Sequence, residues 1–277
     1  MSFLQFKSVP IDQVLQPKSW TPKSAQAFDF TKPIELAYTK VNLSIFPPET
    51  MLLLPNSQPF YKKSSYFLNR NNELLLTPYS TRQLIQHYNK SQIVDFSHSR
   101  HFYNCFNYAR KYPVVNGDFH WLPLNGSIHR DSTWIALHYV AAYEESNHNV
   151  LFRFLNGTTC ELPHYGHALS TEIHNAIAIG RICRACLTIC ALNFGYRIQL
   201  ESPFMDSIVH QFDNCDCKRC CQIPENRADL IQLLNQLEIN KTNFIYRAAL
   251  SEYSEYPASY FAWYNDVDVF IKRLRRL

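Results

Sequence analysis

Residues 134–162 read WIALHYVAAYEESNHNVLFRFLNGTTCEL. Two apolar runs, Trp134 to Val140 and Val150 to Leu155, flank a polar stretch from Glu144 to Asn149. The second run ends in Asn156-Gly157, and a third follows from Thr158 to Leu162. Aromatic and β-branched residues suit a pleated, half-buried surface. Asn-Gly between two such runs is a strong hairpin signal, because both central residues of a type I′ turn need positive φ. The stretch therefore predicts a three-stranded antiparallel meander.

Working outward, a helix is expected next, capped by Ser170 or Thr171, with Glu172 in its first turn where negative charge suits the dipole. It runs to about Leu192. One face carries Ala176, Ile179, Gly180, Cys183, Cys186, Leu187 and Cys190, and the opposite stripe carries His174, Arg181, Arg184 and Thr188. Spacings of three and four place those two arginines on one exposed face. Upstream, Ser65 to Leu68 and Glu73 to Leu76 flank Asn69-Arg70-Asn71-Asn72, a hairpin pattern. Thr81 to Tyr88 predicts a short helix with Thr81 as cap and Leu84, Ile85 and Tyr88 inward. The segments ELAYTKVNLSIF (35–46) and MLLLP (51–55) read as short strands. Residues 1–34, with Pro10, Pro17, Pro22 and Pro33, read as an irregular arm. Beyond a boundary near residue 200, helical stretches are expected over 224–237 and 256–277. The expected fold is α+β: an antiparallel sheet or meander packed by one helix (35–200), with a cysteine-containing helical carboxy-terminal extension (201–277).

The 277 residues are 46% hydrophobic and 18% charged, a globular profile rather than a disordered one. Only 6 are glycine, and neither GxGxxG nor GxxxxGK[ST] occurs, which argues against nucleotide-binding enzymes of those two kinds. Lys and Arg number 27 against 23 Asp and Glu, a formal +4 that permits nucleic-acid binding without announcing it. The first twenty residues lack the apolar stretch of a signal peptide. The best membrane-span candidate, Ala176 to Leu192, carries Arg181 and Arg184 in mid-span, so the expected compartment is the cytoplasm.

Nine cysteines fit reducing surroundings. Cys215, Cys217, Cys220 and Cys221 place four thiols within seven residues. Tetrahedral zinc takes four thiolates or imidazoles, so these are candidate ligands; otherwise no cofactor is expected. Cys183-x-x-Cys186 offers a second knuckle, but it sits on the predicted apolar helix face, where cysteine is an ordinary small hydrophobe. Among the histidines, His98, His101, His164, His167 and His174 are possible ligands or bases. No catalytic residue is assigned. HExxH and GxSxG are absent, and Cys105 or Cys160 would need a histidine from elsewhere in the fold.

The block from 97 to 140 is basic and aromatic, with Arg100, Arg110, Lys111 and Arg130 against Asp118 and Asp131. Such arginines suit phosphates or a narrow A·T-rich minor groove, and they suit equally a core segment with a solvated rim. The order of motifs here resembles the ComK family. The motifs are Ser97-His-Ser-Arg100-His-Phe102-Tyr-Asn, Tyr108-Ala-Arg110-Lys111, Phe119-His-Trp-Leu122-Pro123, Ser132-Thr-Trp134-Ile135-Ala-Leu-His138-Tyr-Val140, and Phe152-Arg-Phe154-Leu-Asn156-Gly157 with Glu161-Leu162-Pro163. The resemblance spans about 40–192 and is most specific over 97–192. It implies a sequence-specific activator of DNA-uptake genes that binds paired A·T-rich boxes through the minor groove as a homo-oligomer. It further implies contacts with RNA polymerase and a Clp protease adaptor. On this reading Arg100, Arg110, Lys111 and Arg130, then Arg181 and Arg184, are the DNA-contacting candidates. The alternatives are a zinc-stabilised interaction module, a regulatory relative without DNA recognition (no glycine occurs over 97–112, where the family carries them), and a metal- or cysteine-dependent enzyme.

Overall fold

The computed structural model describes residues 26–31, 39–40, 49–56, 64–91, 113–124, 131–146, 148–164, 169–197, 202–212, 215, 217 and 223–236. Its strands are β1 (Ala27–Asp29), β2 (Thr39–Lys40), β3 (Thr50–Pro55), β4 (Ser65–Asn69), β5 (Leu74–Thr77), β6 (Val114–Asn116) and β7 (Phe119–Pro123). They continue with β8 (Trp134–Ala136), β9 (Val140–Ser146), β10 (Asn149–Phe154) and β11 (Thr159–Pro163). The helices are α1 (Thr81–Ser91), α2 (Leu169–Asn193) and the short α3 (Ile208–Gln211), with a further helical stretch over 227–236. The fold is α+β, as expected.

The strands form two sheets, one of order β2-β5-β4-β3-β8-β7-β6 and one of order β1-β11-β10-β9. Pairing is antiparallel except for β1 on β11 and β2 on β5. Met51 to Leu54 is an unbroken apolar run and is wholly buried, as a strand covered on both faces should be. Strand β10 alternates instead: Val150, Phe152 and Phe154 face inward, Leu151 and Arg153 outward.

The deciding stretch folds as a meander with one change. Trp134 to Val140 is not a single strand: a 3₁₀ turn at Leu137–Tyr139 separates β8, in the larger sheet, from β9, in the smaller. All seven residues are buried, so no alternation holds the run to one sheet face. The turn is secured when the Leu155 N–H donates to the Tyr139 carbonyl at 2.8 Å.

The Asn156-Gly157 hairpin is real, but its turn is not type I′. Only Gly157 has positive φ, at 81°. The Gly157 N–H donates to the Phe154 carbonyl, and the Phe154 N–H to the Thr158 carbonyl. This is a three-residue loop closed by a left-handed glycine. The β4–β5 hairpin repeats the design with Asn72 (φ 64°) in the left-handed place. The two loops touch: Asn156 Nδ2 donates to the Arg70 carbonyl (3.0 Å) and to Asn72 Oδ1 (2.9 Å). Thr158 Oγ1 also donates to Asn72 Oδ1, at 2.6 Å. Asn156 is thus held at negative φ by bonds that join the two sheets.

Helix α1 buries Leu84, Ile85 and Tyr88 as expected, but its cap is Ser80 rather than Thr81. Ser80 Oγ accepts from the Gln83 N–H, and Gln83 Oε1 accepts from the Ser80 N–H, a capping box. Thr81 Oγ1 instead accepts from the Ser132 N–H.

Helix α2 begins at Leu169, ahead of the expected caps. From Ile173 to Gly180 every residue but His174 is buried, so this half is not one-faced. Leu187 and Cys190, expected inward, are exposed. By length and composition α2 is apolar enough to span a membrane. Its first half lies inside this body, and core helices pass the same test.

Within the span read as an amino-terminal arm, β1 pairs with β11 and Phe30 reaches the main core. Residue 200 is not an edge of the core, because Phe204, Ile208 and Val209 belong to the same cluster as Trp121 and Ile177. The helix expected over 256–277 lies outside the described residues.

Candidate functional site

Asn116 and Phe119 pair across a two-residue loop, Gly117-Asp118, with Gly117 at φ 58°. The loop delivers the Asp118 carboxylate to the flank of α2. There Arg184 Nη1 lies 2.7 Å from Asp118 Oδ1, and His210 Nε2, on α3, lies 3.8 Å from Oδ2. Burial works to raise the Asp118 carboxyl, but hydrogen bonds from Ser202 and Arg184 and the charges of Arg184 and His210 outweigh it and hold it below the usual value.

His120 continues the same corner. Its Nδ1 lies 2.8 Å from the Asp118 carbonyl oxygen, which can only accept, so Nδ1 carries the proton. Nε2 faces Gly180, where a Cβ would lie 2.0 Å from it. Burial is the main cause that pushes His120 down to about 4, so the ring is neutral at physiological pH.

Arg181 and Arg184, expected on an open face, are both engaged: Arg184 by Asp118, and Arg181 by carbonyl groups beyond residue 202. Arg181 Nη1 donates to the carbonyls of Phe212 (3.1 Å) and Cys215 (3.2 Å). Two turns earlier on the same stripe, His174 meets the Phe212 ring with centroids 5.5 Å apart. Its Nε2 lies 3.4 Å from Cys215 Sγ and 3.5 Å from Cys217 Sγ. These three ligand atoms all fall within 4.8 Å of one another. The sequence reading missed this partnership between His174 and the cysteines. The available signal was a polar stripe on a helix otherwise too apolar to face water.

Cys183 and Cys186 pack with Ala178, Ile179 and Ile182 in a second apolar cluster that Cys215 and Cys217 also touch. Burial raises the Cys183 thiol to about 12 and the Cys186 thiol to about 11, with lesser contributions from neighbouring cysteines. Cys160 is buried within the smaller sheet, and burial pushes its thiol up as well, away from the reactive thiolate form. His164 is buried at the end of β11. His98, His101, Cys105, His167, Cys220 and Cys221 lie outside the described residues.

Of the DNA-contacting candidates, Arg100, Arg110, Lys111 and Arg130 also lie outside the described residues. Three of them stand close in sequence to described strands. Lys111 precedes Pro113, at the head of β6, by two residues and Arg110 by three. Arg130 adjoins Asp131, just ahead of β8. Strand β7 lies between β6 and β8 and runs antiparallel to both, so the starts of β6 and β8 fall at the end of the sheet opposite Gly117. Strand spacing sets β6 and β8 about 10 Å apart. The smaller sheet offers no comparable basic surface among the described residues. Leu151 pairs with Glu144 on one side and Glu161 on the other, and Arg153 with Ala142 and Thr159. Asp29 pairs with Glu161 at the edge. That outer face carries three carboxylates against one guanidinium and is poorly suited to a polyanion.

The family model described as ComK protein matches residues 42–185. No curated protein and no solved structure matches the chain.

Proposed function

From the membership of this chain in the ComK family of competence transcription factors, we propose that it is a cytoplasmic, sequence-specific DNA-binding activator of DNA-uptake genes. It acts by binding rather than by catalysis, on A·T-rich duplex boxes read mainly through the minor groove. The supporting observation is the family match over residues 42–185, a span that includes Arg100, Arg110, Lys111 and Arg130. Cations that contact DNA neutralise phosphates and release counterions. Arginines that enter an A·T-rich minor groove meet its more negative potential. Arg100, ten residues ahead of Arg110 on the same connection, belongs with them.

Arg181 and Arg184 leave this set. One binds carbonyl groups and the other an aspartate, so each serves the fold of the flank. Leu187, Leu192, Phe194 and Tyr196 are exposed at the end of α2 and favour a homo-oligomer, the form that paired boxes require.

The test is fluorescence anisotropy of a labelled duplex with two A·T-rich boxes against a G·C-rich control, over a salt series. Preference for the A·T duplex with a steep salt slope is expected. Equal, weak binding to both duplexes contradicts direct recognition and favours a regulatory role without DNA contact.

A further inference from the structure

We propose that His174, Cys215 and Cys217 bind one zinc ion per chain, a structural site that clamps the segment after α3 onto the flank of α2. The four-thiol set read from the sequence is thereby recast, with a helix imidazole joining two of those thiols.

Geometry supports the site. A tetrahedral zinc with Zn–S near 2.3 Å and Zn–N near 2.0 Å sets its ligand atoms about 3.5 to 3.8 Å apart. The observed Nε2 to Sγ separations are 3.4 and 3.5 Å. An ion thus fits among the three atoms with little movement. Ligand chemistry agrees. Two thiolates and a neutral imidazole are the ligands zinc selects, and two thiolates cancel its charge in a half-buried site. Binding displaces the two thiol protons to solvent, so occupancy strengthens as pH rises.

The surroundings hold the ligands in place. Arg181, seven residues from His174 and so on the same helix stripe, fixes the Cys215 backbone through its carbonyl. The Cys215 N–H donates to the Phe212 carbonyl at 3.0 Å, which closes the loop. Ile223 and Leu233 pack against the same apolar cluster as the two cysteines, linking the helical stretch over 227–236 to it.

The experiment uses the untagged full chain, exposed to zinc alone and desalted before elemental analysis. One zinc per chain is expected for the wild type and for Cys190→Ser, a control thiol on the exposed end of α2. Near-zero zinc is expected for His174→Ala, Cys215→Ser and Cys217→Ser. Full zinc in those three variants, or none in the folded wild type, overturns the proposal. Where a variant loses its circular dichroism, cobalt substitution in the wild type decides instead. A tetrahedral cobalt spectrum with thiolate charge-transfer bands supports the site, and its absence overturns it. The result does not depend on whether the protein binds DNA.

Discussion

Helix α2 meets the rest of the protein along two sides that differ in kind. Toward the sheets it offers Ile173, Ala176, Ile177 and Gly180, all buried against the main core and the β6–β7 hairpin. On its polar stripe it offers His174 and Arg181, engaged with the thiols and carbonyls of residues beyond 202, and Arg184, engaged with a carboxylate of the β6–β7 loop. Apolar burial is non-directional and needs no particular partner. Paired polar groups depend on protonation, geometry and, on the zinc reading, metal supply. One helix is therefore held mainly by packing on one side and by paired polar groups on the other.

Acid should have the largest effect, and it acts on the sheet side, where the buried His120 faces Gly180. An unfolded histidine takes up its proton near 6.5, whereas His120 in the folded protein does so only near 4. Between those values the unfolded chain binds more protons, so stability falls as pH drops through the window and is full above it. The gap corresponds to roughly 3 kcal/mol. Asp118, held low, adds its own loss only at more acid pH, below the ordinary carboxylate value. Urea unfolding at pH 7 and at steps down to pH 4 measures this directly. A flat profile would mean that the neutral His120 corner contributes nothing.

A smaller effect is expected from Gly180→Ala. Alanine suits a helix better than glycine by about 1 kcal/mol. Here, however, its Cβ would meet His120 Nε2 at 2.0 Å and the Gly117 carbonyl oxygen at 3.3 Å. The ring is enclosed and cannot swing away cheaply, so overpacking wins and a net loss of about 2 kcal/mol follows. Thermal melts of the two proteins give the sign. A stabilised variant would show that α2 can lift from the hairpin without penalty.

The same contrast governs what can be read in the sequence. The hairpins at 65–77 and 150–162 are local, with turn residues and strands inside about a dozen positions, and both are legible. The exact turn is not, because Asn156 keeps negative φ through bonds to Arg70 and Asn72, more than eighty residues away. Asn116-Gly117 carries the same local signal between Val115 and Phe119, yet the sequence reading assigns no hairpin there. The split at Leu137 is hidden, since an unbroken apolar run fits one central strand as well as two strands in different sheets. The stripe of His174, Arg181 and Arg184 follows from helical spacing, but most of its cover comes from chain roughly 30 to 40 residues downstream. Spacing identifies a face and cannot say what lies on it.

On the proposed reading the cations divide between two tasks: Arg110, Lys111 and Arg130 serve DNA binding, while Arg181 and Arg184 hold the fold. The direct test measures, for Arg110→Ala/Lys111→Ala and for Arg184→Ala, both the melting temperature and the salt dependence of binding to the A·T-rich duplex. The Arg110/Lys111 variant should melt like the wild type while its salt slope falls by about two units, about one for each phosphate no longer neutralised. Arg184→Ala should melt lower, because the Asp118 carboxylate is left without its 2.7 Å partner, and the molecules that remain folded should bind DNA with an unchanged slope. A reduced slope for Arg184→Ala, with that of the Arg110/Lys111 variant unchanged, would contradict this division.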